Sequence, residues 1–121
     1  MNRQRIIIAG TRTFNDYQLL EKTLDDIIRQ ENIINPIIIS GTANGADKLG
    51  EQYALNRGYQ VMQFKPKWDE HGKSAGFIRN KEMADNADLL VAFWDGKSKG
   101  TAMMIDIMKK QNKHGVIVEY S

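Results

Sequence analysis

Residues 5–14 read Arg5-Ile6-Ile7-Ile8-Ala9-Gly10-Thr11-Arg12-Thr13-Phe14, a short unbroken apolar run that stops at a glycine and a small polar loop. A strand covered by helices on both faces has no solvent side, so its side chains are apolar at successive positions and not at alternating ones. Working outward from residues 5–9, similar runs occur at 36–40, 89–93 and 116–119, and a more polar one at 60–64 suits a sheet edge. Amphipathic stretches lie between them. Asn15 with Gln18 three residues on has capping-box spacing, and Tyr17, Leu20, Leu24, Ile27 and Ile28 then share one face at the 3.6-residue period. A second helix is predicted over 45–56, stopping at Arg57-Gly58. A third covers 75–86, and a fourth covers 101–113 and stops at His114-Gly115.

Strand and helix alternating in this way predict parallel strands joined by right-handed crossovers. The expected fold is α/β: a Rossmann-like open parallel sheet of about five strands with helices on both faces. By analogy with such sheets the order is 3-2-1-4-5. Their ligands sit outside the carboxyl ends of the strands, where the crossover direction reverses. The loops after strands one to four are therefore where chemistry is to be sought.

Composition narrows the choices. The chain has 121 residues, 41% of them hydrophobic, which fits one domain spanning 1–121. It has no cysteine, which excludes disulfides and thiolate metal sites. The first apolar run is too short for a signal-peptide core, and no stretch nears the roughly 20 apolar residues of a membrane span. A cytoplasmic protein with no membrane partner is expected. Seventeen basic against 15 acidic residues leave a net charge of +2, short of the basic excess of a nucleic-acid-binding domain. Nucleic acid is not expected as the primary partner. Lys109, Lys110 and Lys113 cluster at a helix end, where they complement the helix dipole.

The second strand ends in Ser40-Gly41-Thr42-Ala43-Asn44-Gly45-Ala46-Asp47 and opens directly into a helix. Glycines let backbone approach a ligand closely, and a helix N-terminus offers free N–H groups and partial positive charge, which suits a phosphate. The plainer account is a tight turn with Asn44 as helix cap. A loop of the same kind follows strand four, Trp94-Asp95-Gly96-Lys97-Ser98-Lys99-Gly100-Thr101. Two such loops are expected to aim backbone donors at opposite sides of one anion. After strand one, Arg12 beside Gly10 and Thr11 is placed to clamp a phosphate. In the long loop after strand three, Trp68 is placed to cover a base or ribose.

The expected ligand site is thus Gly10, Thr11, Arg12, Gly41, Thr42, Ala43, Asn44, Gly45, Asp47, Trp68, Gly96, Ser98, Gly100 and Thr101, with Arg79 and Asn80 from the helix between strands three and four. No GxxxxGK[ST], GxGxxG or GxSxG motif is present. Neither His71 nor His114 has metal-ligand spacing to a second histidine, so no metal and no cofactor is expected.

These residues carry a resemblance. Gly10-Thr11-Arg12-Thr13-Phe14, the Ser40–Asp47 run, Trp68, Gly72-Lys73-Ser74-Ala75-Gly76-Phe77-Ile78-Arg79-Asn80, and Ala87-Asp88 leading to Gly96 and Gly100-Thr101 resemble the SLOG superfamily. Within it, the chain looks like the small YspA-like, YpsA-related branch of bacteria and phages, and the likeness covers nearly the whole chain. The resemblance implies a Rossmann-like fold with a nucleotide-type pocket, used to sense or process ADP-ribose-like or NAD-derived molecules. LOG-like relatives cut the N-glycosidic bond of a nucleoside monophosphate with a P-G-G-x-G-T-x-x-E motif and a helix arginine. Here Gly100-Thr101 matches the G-T, Arg79 the arginine, and the glutamate position falls on Met104. A thioether moves no proton, so binding is expected over turnover, with Asp47 and Arg79 as the weak candidates for chemistry. The alternatives are a LOG-like nucleotide N-glycosidase and DprA-like single-stranded DNA binding. A homo-oligomer is also expected, because Met103, Met104, Ile105, Ile107 and Met108 spread around the last helix beyond one apolar stripe.

Overall fold

The structure is a computed structural model that describes residues 4–120. In chain order its elements are β1 (Arg5–Gly10), α1 (Tyr17–Gln30), β2 (Ile37–Ser40), α2 (Ala46–Arg57), β3 (Gln60–Gln63), α3 (Trp68–His71), a 3-10 turn (Gly72–Ser74), α4 (Ala75–Asn86), β4 (Leu89–Trp94), α5 (Lys99–Lys110) and β5 (His114–Glu119). The five strands form one sheet in the order β3-β2-β1-β4-β5. Every pairing is parallel, with Ile7 opposite Ile39 on one side and Leu90 on the other.

The apolar run of β1 is explained by two separate cores. Ile6 and Ile8 point to one face, where Leu20 and Leu24 of α1 and Tyr53 and Ala54 of α2 cover them. Ile7 and Ala9 point to the other, against Met83 and Ala84 of α4 and Met104 and Met108 of α5. Ile6, Ile7 and Ile8 have no exposed surface, and each such burial contributes about 1.5–3 kcal/mol. The polar β3 is an edge strand, as its composition suggested.

Several boundaries differ from the sequence expectation. The cap of α1 is Asp16, whose carboxylate accepts from Leu19 N at 3.1 Å, so the Asn15–Gln18 capping box does not form. A charged acceptor one residue later also gains from the helix dipole. Gly45, not Asn44, occupies the cap position of α2, and no side chain caps it. Helix α5 starts at Lys99, two residues early, because Ser98 caps it. It ends at Lys110, and β5 takes in His114 and Gly115. Asn112 there has a φ of 56°, with Asn112 N donating to Lys109 O and Lys113 N to Met108 O. That pair of bonds is a Schellman stop. Asn32 (φ 54°) and Gly58 (φ 74°) end α1 and α2 in the same way. The loop after β3 holds α3 and the 3-10 turn.

Met104, Ile105, Ile107 and Met108 are all buried within the chain, and Met103 is partly so. The apolar excess of α5 is therefore covered by its own sheet, and this helix carries no argument for a second copy. No helix among the described residues is long and apolar enough to cross a membrane.

Two helical glycines should respond oppositely to alanine. A Cβ on Gly50 would stand 2.8 Å from the Ile8 Cβ, so α2 lies on β1 only because that position has no side chain. Gly100 has open space. In urea unfolding, Gly50→Ala is expected to cost about 1–3 kcal/mol of overpacking, whereas Gly100→Ala should be neutral or stabilising by up to about 1 kcal/mol of helix propensity.

Candidate functional site

The site starts where β1 and β4 end together. A Cβ at Gly10 would run into the Phe93 carbonyl oxygen and stand 2.9 Å from the Ala46 Cβ, so only glycine lets the two strands and the start of α2 converge. Thr11 then ties three loops. Its N–H donates to Phe93 O at 3.0 Å, its carbonyl accepts from Phe14 N at 3.1 Å and from Ala46 N at 3.4 Å, and its hydroxyl accepts from Asp95 N at 3.1 Å. At Gly45 φ is +81°, and a Cβ would lie 2.5 Å from the Arg12 carbonyl carbon. The β2–α2 loop can pass beneath the β1–α1 loop for that reason.

The β2–α2 loop is held by its own side chains. Thr42 has a φ of 68°, costly for a β-branched residue, and its N–H donates to Ser40 Oγ at 3.0 Å. Ala43 N donates to Asp47 Oδ2 at 3.1 Å. Arg79 reaches across from α4, donating from Nη1 to Gly41 O at 2.5 Å and from Nε to Asn80 Oδ1 at 2.8 Å. Gly41 is the wedge between the two charges. A Cβ there would be 2.8 Å from Arg79 Nη1 and 2.9 Å from Asp47 Oδ2.

Burial pushes the Asp47 carboxyl up to about 6, against the opposing pull of the Ala43 N–H, Arg79 and Arg12; Glu51 adds repulsion. Burial pulls the Arg79 guanidinium down, opposed by Asp47 and assisted by Arg12. Arg12, itself exposed, thus belongs to the same electrostatic neighbourhood.

The β4–α5 loop folds around Asp95. Its Oδ1 accepts from Lys97 N at 2.8 Å and Ser98 N at 2.9 Å, which hold the carboxyl below its ordinary value. Ser98 Oγ accepts from Thr101 N at 3.4 Å and shares a hydrogen bond with Thr101 Oγ1 at 3.2 Å. The two glycine loops therefore do not offer the open rows of backbone donors that their composition suggested. The N–H groups of Thr42, Ala43, Lys97, Ser98 and Thr101 are turned onto neighbouring side chains. Positive charge reaches the crevice instead through Arg12 and Arg79, together with the first turn of α5, whose leading N–H groups have no intrahelical acceptor.

These elements enclose a two-lobed cleft at the point where the crossover direction reverses, between β1 and β4. An inner lobe of about 490 Å³ reaches Ala9, Met83 and Met104, and an outer lobe of about 550 Å³ lies beside α3 and α4. Arg12, Ala43, Arg79, Asn80 and Gly100 line both. Gly10, Thr11, Asp47, Ser98 and Thr101 line the inner lobe, and Thr42, Asn44 and Trp68 the outer. Gly41, Gly45 and Gly96 line neither: the first two act as spacers, and Gly96 is an exposed turn with a φ of 80°. Sequence reasoning passed over Thr13, Met83 and Lys97 in the inner lobe and Pro66, Lys73, Phe77 and Met103 in the outer. Phe77 had a readable signal: its i+3 and i+4 neighbours, Asn80 and Lys81, are polar, so it joins no apolar stripe. Among the described residues, no group of three or more His, Asp or Glu side chains could hold a metal ion.

The model of the YspA, cpYpsA-related SLOG family matches residues 4–71, more than half of the chain. The chain belongs to that family. The SLOG chain is also 30% identical to the Gene 61 protein of Mycobacterium phage D29, over 95% of its own length and 94% of the phage protein. Its fold is that of DNA processing protein A (DprA) from Streptococcus pneumoniae, with a TM-score of 0.73 at 15% identity. That match covers 98% of this chain, which spans about half (51%) of the DprA chain.

The Asp47 carboxyl gives this SLOG site a pH signature. An unfolded aspartate titrates near 4, so the folded chain binds the proton more tightly. The cost of burying the charge is present in full above about pH 6 and is relieved as pH falls towards 4. The gap between about 4 and about 6 corresponds to about 3 kcal/mol. In urea unfolding, Asp47→Asn should gain on the parent by up to that amount between pH 4 and pH 7. Parallel stability curves would show that Asp47 does not titrate in this window.

Proposed function

We propose that this protein binds a nucleotide or nucleotide-derived phosphate ligand, as a sensor or sequestering module, with the phosphate at Arg12 and Arg79. The observation that carries the reading is the position of these guanidiniums. Both line both lobes of a cleft set at the crossover reversal, the place where ligands bind in open α/β sheets. Arg79 is half-buried and already anchored to Gly41 O and Asn80, so its charge is preorganised. A phosphate there gains charge-assisted hydrogen bonds with little ordering cost. Membership of the SLOG family supports a nucleotide-related role.

Binding is favoured over turnover by Met104. It lines the inner lobe at 2% exposure, on α5, whose first turn holds Gly100 and Thr101. A LOG-type glutamate would stand at this position. A second reading, hydrolysis of a nucleotide N-glycosidic bond, rests on Asp47, a buried carboxyl lining the same lobe and titrating at about 6, near the range useful for proton transfer.

The test is a panel of AMP, ADP-ribose, NAD, cyclic dinucleotides and a single-stranded oligonucleotide, with retained and converted species quantified by mass spectrometry. Retention of an intact nucleotide is expected. Arg12→Ala should weaken it by about 1.5–3 kcal/mol, the scale of a hydrogen bond to a charged group, without loss of thermal stability, because Arg12 is exposed. Arg79→Ala should weaken binding and also destabilise the fold, because it leaves Gly41 O and the Asp47 charge without their partner. Release of adenine and ribose 5-phosphate, abolished by Asp47→Asn, would replace binding by catalysis. Retention of the oligonucleotide alone, with steep salt dependence, would replace it by nucleic-acid binding, a process to which the name of the DNA processing protein with this fold points.

A further inference from the structure

Asp47 is a buried carboxyl with no ion pair. It keeps 6% of its surface exposed and lines the inner lobe. Among the described residues its carboxyl takes one hydrogen bond, from Ala43 N at 3.1 Å, and no lysine or arginine stands within salt-bridge distance of it. A charge taken out of water is ordinarily neutralised by a partner or by a proton. The cation best placed to be that partner, Arg79, is turned elsewhere, onto Gly41 O and Asn80 Oδ1. A Cβ at Gly41 would lie 2.8 Å from Arg79 Nη1 and 2.9 Å from Asp47 Oδ2. The two groups are therefore at most about 6 Å apart, within the range over which one charge moves another's titration. Further charges come from the other elements around the carboxyl. Glu51, one turn along α2, accepts from Ser40 Oγ at 2.6 Å through Oε2, and its charge repels that of Asp47. Arg12 of the β1–α1 loop and Asp95 and Lys97 of the β4–α5 loop line the same lobe.

An anion held at Arg12 and Arg79 shares a lobe with this carboxyl, and two negative charges that close disfavour each other. We infer that the site takes up its anion together with a proton: Asp47 is a carboxylate in the free protein at neutral pH and a neutral carboxylic acid when phosphate occupies the arginines. The proton comes from solvent and forms an O–H bond on the Asp47 carboxyl; no other bond changes. Its arrival removes one repulsion and ends the pull of Asp47 on the Arg79 guanidinium, leaving that charge to the ligand. The direction of the pH dependence follows. In the free protein burial has the carboxyl titrate at about 6, and a bound anion raises it further. Below about pH 6 the acid is already formed, so affinity is highest and flat. At higher pH each anion must bring a proton, and affinity falls by up to about tenfold per pH unit until the pH passes the titration point of the complex. The inference rests on the phosphate reading above and adds to it a means of control, the loading of the site by acidification.

Calorimetric titration between about pH 5 and about pH 8, in buffers of different ionisation enthalpy, counts the protons taken up. The probes are inorganic sulfate and ADP-ribose, neither of which has a phosphate monoester to titrate near pH 6. For the parent chain, affinity is expected to fall by up to about tenfold per pH unit above about pH 6, with uptake rising towards one proton per ligand. Asp47→Asn has no carboxyl to titrate and should bind with one affinity throughout, taking up no proton. Glu51→Gln keeps an acceptor for Ser40 but loses the charge that repels Asp47, so the bend in the parent's profile should move to lower pH. A merely structural role for Asp47 predicts no such movement. The assignment is overturned by a parent whose affinity and heat ignore pH and buffer, by uptake that persists in Asp47→Asn, or by a bend that Glu51→Gln leaves in place. If neither probe binds at any pH, the phosphate reading itself fails and this inference falls with it, an outcome distinct from the others.

Discussion

The middle strand of this sheet has no side that faces water, and most of the architecture follows from that constraint. Ile6 and Ile8 must be covered by α1 and α2, and Ile7 and Ala9 by α4 and α5, so helices are required on both faces. With β2 on one side of β1 and β4 on the other, the crossovers must reverse at β1. A crevice then opens at its carboxyl end whatever the loops contain. Gly10 and Gly50 serve the same constraint, since each is the absence of a side chain that would hold β1 away from β4 or from α2. The site is thus a consequence of core packing, furnished afterwards by polar residues.

What furnishes it is electrostatically uneven. Asp47 is buried beside Arg79, and burial disfavours the charged form of both. Two arginines against one carboxyl leave the waist of the cleft positive even with Asp47 ionised, although the chain as a whole is nearly neutral. The net charge of +2 was therefore a poor guide to the local field. The loops add rigidity more than charge. Asp95, Ser98, Ser40 and Asp47 each accept from nearby backbone N–H groups, so the crevice wall is held in place by its own side chains.

The fold was legible in the sequence because burial on both faces produces continuous apolar runs, whereas strand order came from analogy with such sheets and not from the pattern itself. The errors have a common cause. Asp16, Asn32 and Asn112 begin or end helices through single side-chain or left-handed backbone geometries, and hydrophobic periodicity is silent about them. Glycine-rich composition marked loops that the structure brings together at one cleft, but not the direction of their N–H groups, because a donor's direction depends on which side chain reaches it first. Gly41 and Gly45 mattered as empty space between groups far apart in sequence, Arg79 with Asp47 and Thr11 with Arg12. Trp68 was visible as an aromatic in a long loop. Phe77 could be read only as a residue outside any apolar stripe, and nothing in its own segment showed that the fold would bring it beside Pro66 and Trp68.

Met104 draws these strands together. A glutamate there would be buried in the lining of the same lobe as Asp47, and burial disfavours the charged form of either carboxyl. A thioether carries no such cost and joins Ala9 and Met83 in the apolar part of the inner lobe's lining. The acids that remain in this lobe, Asp47 and Asp95, each already accept from backbone N–H groups of their own loops. Asp47, anchored by Ala43 N–H and drawn towards Arg79, contributes to the order of the loop more directly than to chemistry.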